Sequence, residues 1–230
     1  MSEASSQPAA AGQDTNLARV RAELTAALLS DALDAAGYRH QAAPPVIRGL
    51  DDGLVLAGRA RTGLYREVFH VAPGANPYAL EIALVDDLRP GEIIVLACGG
   101  SRRIAPWGEL LTTAAMARGA VGCLTDGMVR DTRAIRALGF PVFHGGIGPL
   151  DSKGRGEIAE IDVPVEIAGV PVRPGDLVFG DADGVVVVPL EIEAQVLAAA
   201  FARTAGEAAT LEALRRGEKL GEVFRRFGVL

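Results

Sequence analysis

The chain has 230 residues, a formal net charge of -6, 49% hydrophobic side chains and only 5% aromatic ones. That length suits one large domain, and a core led by small and β-branched side chains fits an α/β protein. No basic stripe is present, which argues against nucleic acid and anionic membranes as partners, because phosphate binding needs clustered Lys and Arg.

Residues 1–15, rich in Ser, Ala, Gln and Gly, read as a disordered tail. Leu17, Val20, Leu24 and Leu28 recur at helical spacing and predict a first helix. Ser30 is placed as the cap of a short second one that ends at Gly37. Ala43-Pro44-Pro45 opens a loop, and residues 54–65 alternate as a strand does. Asn76-Pro77 opens a short helix over 78–85. After the turn Arg89-Pro90-Gly91-Glu92, residues 93–98 form a continuous apolar run, expected of a strand buried on both faces. Gly99-Gly100-Ser101 leads to a helix over about 106–118, with Pro106 where a missing N–H costs nothing. A second buried strand is expected at 121–124, a helix at 131–138 and a third strand at 141–144. That alternation implies parallel pairing with right-handed crossovers.

The pattern then changes. Residues 157–172 alternate, with Ala168-Gly169 as a hairpin turn. Further turns at 173–176 and 181–184 separate strands at 177–179 and 185–188. An Ala-rich helix follows from 190 to about 216, ends at Gly217, and a short last helix runs to Phe224. The expected organisation is a tail (1–15), one α/β domain (16–189) and a helical extension (190–230) that serves as an interface. Its stripe of Val196, Leu197, Ala200, Phe201, Ala208, Leu211 and Leu214 is more than a lone solvated helix should expose. Docking of that stripe on its own domain is the other reading. No apolar run approaches the roughly 18 residues of a membrane span. No secretory signal is visible, so a cytoplasmic protein is expected. Cys98 and Cys123 lie in apolar segments without CxxC spacing and read as buried reduced thiols.

The chemistry concentrates in Pro106-Trp107-Gly108-Glu109-Leu110-Leu111, and twenty residues separate Glu109 from the following Arg130-Asp131. Glu109 and Asp131 are carboxylates, the usual ligands of hard divalent cations. Arg130 is a fixed cation suited to a carboxylate or a developing oxyanion. One helix and one strand fit between them, so the three charges can converge on one pocket. Two plainer roles stay open: Asp131 as the cap of the next helix, and Glu109 as an acid in a first helical turn. Other motifs fail. Asp181-Ala182-Asp183-Gly184 lacks the remaining ligands of a calcium loop. Gly145-Gly146-Ile147-Gly148 lacks the last glycine of a dinucleotide loop. His40, His70 and His144 share no zinc-ligand spacing. His144 ends a strand near the expected pocket and reads as structural.

With these residues the chain resembles the RraA-like family. The resemblance runs over about residues 25–220 and is carried by Ser30-Asp31-Ala32-Leu33-Asp34, Gly108-Glu109, Thr125-Asp126-Gly127, Arg130-Asp131, Phe140-Pro141-Val142-Phe143, Val172-Arg173-Pro174-Gly175-Asp176 and Asp181-Ala182-Asp183-Gly184-Val185. That family holds class II pyruvate aldolases acting on 4-hydroxy-4-methyl-2-oxoglutarate and 4-carboxy-4-hydroxy-2-oxoadipate, and regulators of ribonuclease E activity. The resemblance implies a single β/β/α swivelling-type α/β domain with a long C-terminal helix, assembled as a homotrimer or homohexamer with sites between subunits. It implies Mg²⁺ or Mn²⁺ on Asp131 and contact of Arg130 with the pyruvyl oxygen. The backbone N–H groups of Trp107, Gly108, Glu109 and Leu110 would hold the pyruvate carboxylate. Glu109 stands where the family usually has Asp, one methylene shorter, and would orient a metal-polarised water. Glu207 of a neighbouring subunit would complete the metal's outer shell through water. The activity implied is metal-dependent cleavage of a 4-hydroxy-2-oxo di- or tricarboxylic acid to pyruvate and a second carbonyl compound, with oxaloacetate decarboxylation as a side activity. A non-enzymatic ribonuclease-regulator-like binding protein of the same fold, or a lyase for another oxo acid, are the alternatives.

Overall fold

The computed structural model describes residues 16–228. Its spine is β2 (Leu56–Glu67), a strand of 12 residues. Along one edge β2 pairs in parallel with β3 (Glu92–Ala97). Along the other it carries two antiparallel partners in succession, β9 (Leu177–Asp181) on its first half and β6 (Gly156–Ile161) on its second. From β3 the sheet continues in parallel through β4 (Gly122–Val129) to β5 (Val142–Ile147). The connections are α3 (Ala79–Asp86), α4 (Glu109–Ala117) and α5 (Thr132–Leu138). This is the parallel α/β unit expected from the sequence. Alternation explains its two cores. On β3, Ile93 and Val95 face one side, while Ile94 and Leu96 face the other under the three helices, with Leu84, Ala115 and Ile135.

The sheet nearly closes. β10 (Gly184–Val188) pairs with β9, and β1 (Arg48–Gly49) pairs with β5. Ala42, a few residues before β1, bridges Val186 on β10. One short passage therefore touches both outer edges. Inside, the hairpin of β7 (Val165–Ile167) and β8 (Val170–Val172) packs on Leu56, Val95 and Phe143. Its turn residues, Ala168 and Gly169, both have positive φ (49° and 92°), as the two-residue turn that matches strand twist requires. Outside β9 and β10 lie α1 (Leu17–Glu23), α2 (Ala26–Ala35) and α6 (Glu193–Arg215), followed by α7 (Leu220–Phe227).

Several expectations need correction. The first helix stops at Glu23, and Thr25 rather than Ser30 caps the second: its hydroxyl accepts the N–H of Leu28 at 3.2 Å. A good N-cap here outweighs the apolar periodicity that runs through it. β4 and β5 outrun their predicted ends, reaching Val129 and Ile147. A bulge between Thr125 and Met128 lets β4 continue. Gly145 lets β5 pass beneath it, since a Cβ there would lie 2.3 Å from the Asp126 carbonyl oxygen. About half of the apolar stripe of α6 is used within the chain. Val196, Leu197 and Ala200 are buried against Leu29 and Leu33, leaving Leu211 as the exposed large side chain of that helix. Cys98 and Cys123 are free and buried, as expected. Among the described residues no helix is long and apolar enough to cross a membrane. The expected tail, 1–15, lies outside the described residues.

The start of α6 is tied to the spine by charge. Arg59 of β2 meets Glu193, which is 4% exposed, through two contacts, Nη2 to Oε1 at 2.8 Å and Nη1 to Oε2. Removing one partner of a buried pair leaves the other charge uncompensated. Glu193→Ala should therefore cost about 2–3 kcal/mol and lower Tm by roughly 5–10 °C. A fall of less than about 2 °C in thermal denaturation would show that apolar packing alone holds α6.

Candidate active site

The site lies at the carboxyl end of the parallel strands, where α/β sheets place their ligands. Trp107 forms a parallel bridge with Val129 at the end of β4, and the N–H of Arg130 donates to the Trp107 carbonyl at 3.0 Å. This extended pairing explains why α4 begins at Glu109, not at Pro106. Trp107 is fully buried and stacks on Phe140 at 6.3 Å between centroids. Gly108 comes so close to the next turn that a Cβ there would lie 2.6 Å from Asp131 Oδ2 and 3.2 Å from Arg130 Cγ.

Asp131 adopts the left-handed conformation (φ 54°) and stands at the N-cap position of α5 without making a capping hydrogen bond. Its Oδ2 instead accepts the N–H of Glu109 at 3.2 Å. The helix-cap role left open by the sequence is therefore not the one Asp131 fills. Its carboxylate is turned across the gap onto the first turn of α4. Arg130 Nε lies 3.7 Å from the same oxygen. The side chain of Glu109 occupies the first turn of α4 and is exposed.

A cavity of about 310 Å³ opens beside these groups. Trp107, Gly108, Leu110, Arg130 and Asp131 line it. The Glu109 side chain is not part of its wall. Glu207 is elsewhere in this chain, on α6, where it pairs with Arg203 at 3.1 Å; Arg203 also reaches Asp31 at 2.9 Å. His144 is buried in β5 opposite Arg48 and does not line the cavity.

Three wall residues escaped the sequence reading: Tyr78, Glu81 and Asp151. Asp151, in the loop after β5, sits 3.4 Å from Arg130 Nη1. It accepts the Tyr78 hydroxyl at 2.7 Å and the Ser152 N–H at 2.8 Å. Burial opposes its ionisation, but Tyr78, Arg130 and the backbone donors together hold its carboxyl below the usual range. The same partnership, after burial, pushes the Tyr78 hydroxyl up to about 12. Glu81 is buried, 7% exposed. Burial and the Asp151 charge raise its carboxyl to about 7, against the opposing effects of Tyr65 and Arg130. The Tyr65 hydroxyl faces Glu81 but falls short of ordinary hydrogen-bond geometry. Tyr78 and Glu81 are three apart at the start of α3, a spacing that shares a helix face, but no motif marks them.

The donor set bears on a metal. Asp131 has one oxygen turned to the Glu109 N–H, whereas both oxygens of Asp151 are engaged by protein donors. Among the described residues no three His, Cys, Asp or Glu side chains converge as a metal cage. Such a set suits a hydrated hard cation, which takes one or two carboxylates plus ligand oxygens, and does not suit a closed zinc site. Asp131 is the residue that fits that role.

Comparison with known proteins gives the family. The family model described as RraA-like, Aldolase/RraA, matches residues 26–187. A protein of Halalkalibacterium halodurans named as a candidate 4-hydroxy-4-methyl-2-oxoglutarate aldolase is 37% identical over 186 residues, 81% of this chain and 82% of its own length. A Thermus thermophilus protein named 4-hydroxy-4-methyl-2-oxoglutarate aldolase is 30% identical over 149 residues, 65% of this chain and 85% of its own. Among solved structures, Streptomyces coelicolor RraAS2, described as an unusual member of the RNase ES inhibitor RraA protein family, superposes with a TM-score of 0.75. It is 28% identical, and the match covers 86% of this chain and 96% of that one.

The Glu81 environment has a consequence for stability. Its carboxyl holds a proton more tightly folded than unfolded, so its contribution is fully present below about pH 4.5 and is lost as pH rises through about 7. Glu81→Gln removes that loss. The variant should gain on the order of 3 kcal/mol over the wild type at pH 8 and nothing at pH 4. Denaturant melts at both values check this, and equal stabilities at pH 8 would place Glu81 in a wetter setting.

Proposed function

This chain belongs to the RraA-like family, and on that premise we propose that it is a divalent-metal-dependent aldolase that cleaves a 4-hydroxy-2-oxo acid to pyruvate and a second carbonyl compound. The observation that carries the reading is the Arg130–Asp131 pair, 3.7 Å apart, set against the first turn of α4 on the cavity wall. First-turn N–H groups have no partners within their helix and favour an anion; Asp131 takes that of Glu109, so the substrate carboxylate is assigned to the next one, at Leu110. Arg130 then faces the 2-oxo oxygen, where negative charge grows as the C3–C4 bond breaks, and fixed donors contribute most at that point. A bound Mg²⁺ or Mn²⁺ on Asp131 would supply Lewis acidity at the same oxygen and a more acidic water. Glu109, exposed beside the pocket, orients the acceptor of the C4 hydroxyl proton. Oxaloacetate decarboxylation passes through the same enolate and is assigned as a side activity.

We assign the assembly as a homotrimer or homohexamer. Leu110 is 82% exposed and, with Ile82 and Ile147, rings the Arg130–Asp131 site with apolar surface. A neighbour covering that rim would bring its own Glu207 toward Asp131. A small molecule, rather than nucleic acid or membrane, is the assigned partner, in keeping with the net charge of -6. The likeness to RraAS2 supports a second reading, a ribonuclease-regulator-like binding protein. The clamping of Arg130 between Asp131 and Asp151 favours the enzyme, because a binding surface gains little from a cation fixed inside a cavity.

Pyruvate release over a panel of oxo acids, with Mg²⁺, Mn²⁺ or EDTA, tests the reading. No release from any 4-hydroxy-2-oxo acid or oxaloacetate would favour the binding protein. Asp131→Asn should abolish Mn²⁺ binding and activity while leaving Tm nearly unchanged, because Asn tolerates the left-handed conformation and no helix cap is lost. Retained Mn²⁺ binding would remove Asp131 as the ligand. Arg130→Lys should lower kcat by on the order of 10²-fold, since Lys lacks the planar fork that meets the oxyanion and Asp151 together. An unchanged kcat with raised KM would assign Arg130 to ground-state binding.

A further inference from the structure

The aldolase reading leaves one proton transfer without a donor. Cleavage removes a proton from the C4 hydroxyl and must place one on C3 of the enolate. Most ionisable groups at the cavity are committed. Asp151 is held ionised by Arg130 and by two hydrogen-bond donors. The Tyr78 hydroxyl is bound to Asp151. Asp131 is turned to the start of α4. The remaining carboxyl on the wall is Glu81.

Its surroundings suit an acid. Glu81 projects from α3 into a buried setting where Tyr65 approaches from β2, and Tyr78 from the start of its own helix. Arg130 at the end of β4 and Asp151 in the loop after β5 complete the charged groups around it, with the neutral Cys98 thiol beyond β3. Arg130 is the one cation in that set, and it is shared with two other carboxylates. A carboxyl so placed keeps its proton near neutrality, the condition for a general acid.

We propose that Glu81 is a catalytic acid that delivers the proton to C3 of the enolate while Arg130 still holds its oxygen. The proposal rests on the aldolase reading. The C4 hydroxyl proton passes to the acceptor beside Glu109. The C3–C4 bond breaks, its electron pair becomes the C2–C3 double bond, and the C2 oxygen takes up negative charge. The enolate π pair then takes the Glu81 proton at C3, the C2 carbonyl re-forms, and pyruvate results. Water returns a proton to the Glu81 carboxylate. One proton leaves the substrate and one enters, so no further reactant is needed.

The reverse of the last step is visible without cleavage, as exchange of pyruvate methyl protons in D₂O with Mg²⁺, followed by proton NMR. Wild-type exchange should rise with pH as Glu81 loses its proton and becomes the base. Glu81→Gln should lower exchange by on the order of 10²-fold and erase that rise. Pyruvate affinity, read from the fluorescence of Trp107, the sole tryptophan, should stay within about threefold. Glu81→Asp keeps an acid one methylene back and should retain the rise at a rate lowered about tenfold. Wild-type exchange in either variant, with the wild-type pH dependence, overturns the role of Glu81 and leaves the aldolase reading standing. A wild type that neither exchanges pyruvate protons nor releases pyruvate from any oxo acid overturns both.

Discussion

The site depends on one close approach, that of the Gly108 backbone to the Asp131 carboxylate. Only a residue without a Cβ leaves room for that oxygen, since a methyl at Gly108 would overlap it. The approach follows from the bridge between Trp107 and Val129, which draws the start of α4 against the end of β4. That bridge rests in turn on Trp107 being buried against Phe140 beneath the helices. Asp131 in the left-handed conformation costs about 1–2 kcal/mol, and the bridge on one side and α5 on the other hold it there. Core packing thereby fixes the direction of a charged side chain.

Arg130 then organises the charges. One guanidinium faces Asp131 and Asp151 from adjacent nitrogens, at 3.7 Å and 3.4 Å. Arg130 and Tyr78 hold the Asp151 carboxyl below its usual range, whereas Glu81, more deeply buried, is raised to about 7. The pocket therefore holds groups of both protonation states around neutrality, which is how a fold keeps an acid and an electrostatic stabiliser in one cavity. Tyr78 contributes by holding Asp151 Oδ2, while Oδ1 faces Arg130.

The parallel unit was legible because continuous apolar runs such as Ile93-Ile94-Val95-Leu96 need both faces of a strand covered. Arg130-Asp131 and Gly108-Glu109 were legible because their residue types carry chemistry at a spacing that one helix and one strand can close. The backbone geometry between them was not. Nothing local announces that Trp107 is extended or that β4 runs past Thr125 through a bulge, since both are set by strands distant in sequence. Glu81 and Asp151 were hidden for a similar reason. A Glu in a short helix and an Asp in a loop are ordinary surface residues until the fold buries one and places the other beside Arg130. The stripe on α6 left its partner open because periodicity reports that a face is covered and not by what; α2 covers about half of it.

The two ends of α6 differ in what holds them. The first turn is fixed by the buried Arg59–Glu193 pair and by Val196 packing under it. Glu207, about three to four turns further on, is half-buried beside Arg203 in an ion pair between neighbouring turns, with Asp31 sharing the cation. Pairs of that exposure contribute roughly 0–1 kcal/mol. Turning Glu207 toward a cation-bearing site on another chain would therefore cost little, and Asp31 would remain to hold Arg203. A rigid anchor at one end and an inexpensive exchange of partners at the other is the arrangement a shared site would need, and the monomer already contains it.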